Sequence, residues 1–240
     1  ARGGDGLKRE SRDEAMRIET QDEALAFLRA ELARRDGRPP QTAETHISLV
    51  LLGHDLAWKL KKAVRQPYLD FSTAERRLAL CERELELNRR TAPDLYRRVR
   101  RLTRGGDGTL ALDGEGALVE AVLEMARFDE ERLLDRMARR GALVAPLVGR
   151  LAATIAAFHA AAPPLADAAA GGSARIEAVL DINEAGLEAG RAVLGDTEAA
   201  AAAMRDLWRR HRPLLDTRQR QGRVRRCHGD LHLRNIVEID

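Results

Sequence analysis

The chain has 240 residues, 44% hydrophobic and 33% charged, the balance of a globular protein large enough for one sizeable domain or two small lobes. Its 41 basic and 38 acidic residues leave a net charge of only +3, and the Arg pairs are mixed with Glu and Asp without interleaved aromatics, which argues against a nucleic-acid groove. Two cysteines, Cys81 and Cys227, cannot build a disulfide framework, and nothing resembles a signal peptide; the most apolar run, 142–162, is Ala-rich and carries Pro146, Gly149, Arg150 and His159. A cytoplasmic protein without a membrane span is expected.

Residues 1–18 begin ARGGDGLKRESR and read as a mobile tail. Thr20-Gln21-Asp22-Glu23 reads as a capping box, followed at helical spacing by Ala24, Leu25, Leu28 and Leu32, with a stop near Gly37-Arg38-Pro39-Pro40. The β-rich run 47–52, a turn at Gly53-His54-Asp55 and a second run over 56–64 predict a hairpin. In its second strand, alternation puts Ala57, Lys59 and Lys61 on one face and Trp58 and Leu60 on the other. Ser72-Thr73-Ala74-Glu75 reads as a second capping box, opening a helix to about Arg90 that Pro93 closes.

Runs 95–102 and 117–125 predict strands separated by the turn-rich TRGGDGTLALDGEG. From residue 129 the pattern is helical, over about 129–140, 142–161, 174–190 and 197–220. The expectation is an α+β fold in two lobes: a small α+β lobe of residues 19–126 and a helical lobe of residues 127–240, with ligands favoured between them.

One stretch concentrates chemistry: Cys227-His228-Gly229-Asp230-Leu231-His232-Leu233-Arg234-Asn235. As a helical His pair for zinc it fails, because Gly229 lies between His228 and His232 and a strand-like NIVEI follows. The Asp-x-His of metallophosphoesterases would need further ligand motifs downstream, and only eight residues follow His232. Phosphoryl transfer fits better. It needs an Asp to orient the attacking hydroxyl and accept its proton, and an Asn a short loop away to hold Mg²⁺, and Asp230 and Asn235 have that spacing.

The segment HGDLHLRNI resembles the catalytic loop of the aminoglycoside phosphotransferase family, relatives of the protein kinases, whose pattern is H-G-D-x-x-x-x-N. More specifically, ETHISLVLLGHDLAWKLKKAV, LDFSTAERR and CERELELNRRTAPDLY resemble a bacterial subgroup in which such a domain precedes a P-loop ATP-binding domain. The resemblance runs over residues 19–240 and implies a protein-kinase-like two-lobe fold, with a strand-rich small lobe and a larger helical lobe.

It also implies an ATP- and Mg²⁺-dependent phosphotransferase acting on a hydroxyl of a small molecule. Asp230 is then the catalytic base and Asn235 the metal ligand. In Ala57-Trp58-Lys59, Lys59 grips the phosphates, and Glu84 pairs with it, with Glu82 and Glu75 as competitors. Glu124 and Met125 lie where the adenine-binding hinge belongs, and LVGRLAATIAAFHAAAPP matches the long helix ahead of the loop. His228 and His232 are expected to shape the loop.

Two departures stand out. No G-x-G-x-x-G loop occurs, and Thr45-His46-Ile47-Ser48 would stand in that place. The second metal Asp is expected roughly a dozen residues past the Asn. Asp240 falls instead at a turn, so the C-terminal part of the fold is expected to be missing from these residues, and their activity alone is doubtful. The alternative is a non-catalytic nucleotide-binding or regulatory module coupled to a fused or partner P-loop ATPase.

Overall fold

In the computed structural model, residues 20–66, 69–165 and 171–239 are described; the expected tail at 1–18 and Asp240 lie outside them. The first helix, α1 (Asp22–Asp36), carries Asp22 and Glu23 in its first turn and Arg34 and Arg35 in its last, both favourable to the helix dipole. It stops at Gly37, whose φ of 69° is the left-handed conformation that glycine adopts without a Cβ penalty. The expected capping box at its start does not form. Gln21 occupies the cap position, and its side chain reaches away instead. Its amide nitrogen donates to the Lys61 carbonyl (2.9 Å) and to Glu120 (2.6 Å), and its oxygen accepts from the Ala63 amide (2.8 Å). A long-range tether has displaced the local cap.

Among the described residues eight strands follow: β1 (Gln41–Glu44), β2 (Ser48–Leu52), β3 (Leu56–Lys61), β4 (Arg65–Gln66), β5 (Leu69–Asp70), β6 (Tyr96–Arg104), β7 (Leu110–Leu112) and β8 (Ala117–Ala126). Six of them form one antiparallel sheet in the order β1-β2-β3-β8-β6-β7, and β4 and β5 pair separately. The β2–β3 hairpin sets Leu51 opposite Trp58 and Val50 opposite Lys59. Leu28 and Leu32 of α1 pack on one sheet face against Leu49, Leu51, Trp58, Leu60 and Val122. Burying side chains of this size contributes about 1.5–3 kcal/mol each, which is what holds α1 to the sheet.

The alternate residues of β3, Lys59 and Lys61, meet the helix α2 (Ala74–Asn88). The cap of α2 is Thr73, whose hydroxyl accepts from the Arg76 amide, one residue later than the expected Ser72. The Ser72 hydroxyl donates to Asp70 instead (2.6 Å). The buried stripe of α2, Ala74, Arg77 and Cys81, keeps helical spacing and continues to Glu84.

Two compact units divide the chain, one reaching Glu130 and the other running from Glu131 to Glu238. In the second, Leu134, Met137 and Leu147 form a small core with Leu143, Leu151 and Ile236 packed on it. The expected helix over 129–140 is shorter: a 3-10 turn (Glu130–Arg132) precedes α3 (Leu134–Arg139). Leu133 between them is extended and bridges Val237, so tertiary pairing has interrupted the helical run. Then come α4 (Ala145–Ala161), with Pro at its first turn, α5 (Gly172–Ala189), α6 (Arg191–Leu194) and α7 (Glu198–Arg220). A close approach of α5 to α7 requires glycine, because a Cβ on Gly172 would lie 2.4 Å from the Leu215 carbonyl oxygen. Asp216 accepts from the Ser173 amide there (3.0 Å), and the Trp208 indole donates to the Ser173 carbonyl (2.9 Å).

Candidate functional site

The first unit gathers charge where β3 meets α2. Lys59 Nζ lies 2.8 Å from Glu84 Oε1, and Lys61 Nζ lies 2.6 Å from Glu84 Oε2. Strand alternation puts both lysines on the α2 side of the sheet, and the helical stripe through Arg77 and Cys81 brings Glu84 to them. The competitors Glu75 and Glu82 are exposed on other faces of α2. Burial pulls the Lys59 pKa down, but the adjacent Glu84 carboxylate more than reverses this, so the ammonium is held above its ordinary value. Burial likewise pushes the Glu84 carboxyl up, and the two ammonium groups outweigh that and hold it below the usual range. Burial pushes the neighbouring Cys81 thiol up to about 12, which makes it a packing group and not a nucleophile.

Helix α2 is anchored by a second, fully buried pair. Arg77 and Glu120 have side chains 0% and 1% exposed, 2.9 Å apart, and Arg77 also donates to the Phe71 carbonyl (2.9 Å). Glu120 further accepts from Gln21 and from the Ala121 amide, which satisfies both of its oxygens.

Glu124 and Met125, expected at an adenine-binding hinge, fall in the last three residues of β8. Both lie inside β8, paired with β3 on one side and β6 on the other: Glu124 opposite Trp58 and Arg98, Met125 opposite Ala57 and Tyr96. A strand flanked on both sides has its amides and carbonyls committed to its neighbours. The Glu124 carboxylate is also engaged, accepting from the Trp58 indole (3.1 Å) and Arg98 (2.9 Å). The segment Thr45–Ser48, expected to stand in for a glycine-rich loop, is a tight turn between β1 and β2. The Ser48 amide donates to the Thr45 hydroxyl (3.0 Å), and the Thr45 amide and hydroxyl donate to the Ser48 carbonyl (2.8 and 3.2 Å).

The second unit holds the Asp230 loop between two anchors. Before it, the Arg225 guanidinium donates to the carbonyls of Ala160 (2.8 Å) and Ala162 (2.6 Å) at the end of α4, satisfying acceptors a helix end leaves open. After it, the Leu134 amide donates to the Ile236 carbonyl (2.9 Å) and the Glu238 amide to the Arg132 carbonyl (3.1 Å). Between these, Gly229 takes φ 84° and a 3-10 turn (Leu233–Asn235) closes the loop.

That turn brings Asp230 and Asn235 together. Asn235 Nδ2 donates to the Asp230 carboxylate (2.8 Å) and to its carbonyl (2.9 Å). The two expected loop-shaping histidines cap it: His228 Nδ1 accepts from the Asp230 amide and His232 Nδ1 from the Arg234 amide, both at 3.3 Å. His232 Nε2 lies 3.5 Å from Asp230. The Asp230 side chain is 74% exposed and therefore open to a ligand.

Lys61 was not among the expected site residues, although the same alternation that singled out Lys59 placed it on the same face. The Arg77–Glu120 pair had no local signal, since its members are far apart in sequence and each resembles an ordinary surface charge.

What these features define is a mixed α+β chain with a six-stranded antiparallel sheet and several helices. No family model matches the chain, and no solved structure matches it. Uncharacterized proteins of Mycobacterium tuberculosis (strains CDC 1551 and H37Rv) and Mycobacterium bovis are each 35% identical to it over 116 residues, 48% of this chain. The match spans 22% of the relatives' own length. Among the described residues no helix is long and apolar enough to cross a membrane.

Proposed function

We propose that the chain carries the phosphate-gripping and proton-accepting residues of an ATP- and Mg²⁺-dependent phosphotransferase that acts on a hydroxyl of a small molecule, on a kinase-like two-lobe fold. The observation that carries this reading is the Lys59–Glu84 ion pair at 2.8 Å, a strand lysine met by a helix glutamate from 25 residues away. Kinases need that pairing to present a lysine to the α- and β-phosphates. The Asp230–Asn235 contact supports the same reading from the second unit.

In this mechanism the acceptor hydroxyl's oxygen bonds the γ-phosphorus of ATP as the bond to the β–γ bridging oxygen breaks, and ADP leaves. Asp230 takes the hydroxyl proton onto its carboxylate. Asn235 holds that carboxylate in place through Nδ2, which leaves its amide oxygen to hold Mg²⁺. Carboxylate, amide and phosphate oxygens suit this hard cation, although among the described residues no three His, Cys, Asp or Glu gather as a metal group. When bound, the cation would neutralise charge on the phosphates. His228 and His232 keep the loop's backbone in the conformation that presents Asp230.

The test is Asp230→Ala in the natural protein that carries this chain. Phosphotransfer should fall by about 10²-fold or more, while ATP affinity stays within a few-fold, because the Asp acts on the nucleophile. Unchanged phosphorylation of the acceptor by the variant would refute the role. Wild-type binding of ATP without Mg²⁺ dependence and without turnover would favour the alternative, a nucleotide-binding module coupled to a P-loop ATPase.

A further inference from the structure

We infer that Lys61 is a positioning residue of the phosphate site: by occupying the second oxygen of Glu84, it leaves Lys59 with charge to offer an anionic ligand. This rests on the phosphate-binding reading above and adds a residue to it. In a simple Lys–Glu pair, one carboxylate neutralises one ammonium, and an incoming phosphate must compete for the lysine. Here Glu84 divides its two oxygens between two ammonium groups, Lys59 at 2.8 Å and Lys61 at 2.6 Å, so the cluster keeps one net positive charge.

The two lysines are not equivalent. The Lys61 side chain is 9% exposed, lies 5.0 Å from the Phe71 ring centroid, and springs from a backbone whose carbonyl accepts from Gln21. The Lys59 side chain is 29% exposed. Lys61 is thus the fixed partner that holds the carboxylate, and Lys59 is the one with access to solvent and to a ligand. Attraction at such short range in a partly buried place is strong enough to set which ammonium remains available.

The charged and titratable groups around Lys59 include more than Glu84. Tyr96 of β6 and Cys81 of α2 also face it, and burial holds both in their neutral forms, Tyr96 above its usual value. Neither replaces the charge that Lys61 contributes.

The experiment compares the natural protein that carries this chain with its Lys61→Met and Lys61→Arg variants, reading the Lys59 side-chain titration by NMR and ATP binding by calorimetry. Loss of Lys61 should concentrate Glu84 on Lys59. The Lys59 titration then moves up by about one pH unit and the ATP dissociation constant rises about tenfold. Lys61→Arg, which keeps the charge, should stay near wild type in both. A merely structural Lys61 would leave the Lys59 titration unmoved, and that result overturns the inference. A titration that moves with ATP affinity unchanged also overturns it while leaving the proposed function intact. No ATP binding by the natural protein that carries this chain removes both. Lys61→Gln, which keeps a polar donor without the charge, takes the place of Lys61→Met if that variant does not fold.

Discussion

Arg77→Met is the most severe single perturbation expected of the first unit. Arg77 and Glu120 are 0% and 1% exposed, so water cannot take over when one partner leaves. Removing one member of such a pair leaves an uncompensated buried charge and costs about 3–5 kcal/mol. Glu120 would retain the Gln21 amide and the Ala121 N–H, which places the cost toward the lower end, near about 3 kcal/mol. The Phe71 carbonyl would lose its guanidinium donor at the same time.

With a urea slope of roughly 1–3 kcal/mol per M, the unfolding midpoint should drop by about 1–3 M. Trp58 fluorescence in a Trp208→Phe background follows this, since Trp58 is buried in the first unit and Trp208 belongs to the second. Adding Glu120→Gln removes the stranded charge and keeps hydrogen-bonding atoms, so the double variant should regain much of the loss. A cost below about 1 kcal/mol for Arg77→Met, or a double variant less stable than the single, would refute the argument.

The β3–α2 contact should weaken at both ends of the pH scale. Glu84 is held below its ordinary 4.5, so its contribution is present above that value and is lost as pH falls through its folded pKa. Lys59 is held above 10.5, so its contribution is full below that value and is lost as pH rises through its folded pKa. Urea midpoints measured against pH should show both slopes, and Glu84→Gln should remove the acid-side one. Gly229→Ala should cost about 1–2 kcal/mol of loop order, because φ 84° suits glycine and not an L side chain; the Asn235 side-chain amide NMR signals should lose their hydrogen-bonded signature. A thiol reagent at mildly alkaline pH should label the exposed Cys227 and spare the buried Cys81 until the chain unfolds, which Cys227→Ser checks directly.

Local signals were legible wherever a few neighbouring residues decide the outcome. Gly37 ends α1, the turn at Gly53–Asp55 joins β2 to β3, and alternation in β3 separates Lys59 from Trp58. The five-residue spacing of Asp230 and Asn235 became a 2.8 Å contact because a short loop with one left-handed glycine can hardly keep them apart. Other features escaped for equally physical reasons. β1 is four residues long and exposed throughout, so it has no alternation to read, and it exists because β2 offers it a partner.

Gln21 looked like part of a cap but bonds to Lys61, Ala63 and Glu120, which only the folded chain brings within reach. Glu124 could be placed near the lobe joint from sequence, but that it lies between β3 and β6 follows only from the sheet order. Charge type is visible in a sequence, but a charge's partner is set by register and by which helix covers which face. Tertiary packing alone therefore decided that Glu84 would divide itself between two lysines and that Arg77 would meet Glu120 out of reach of water.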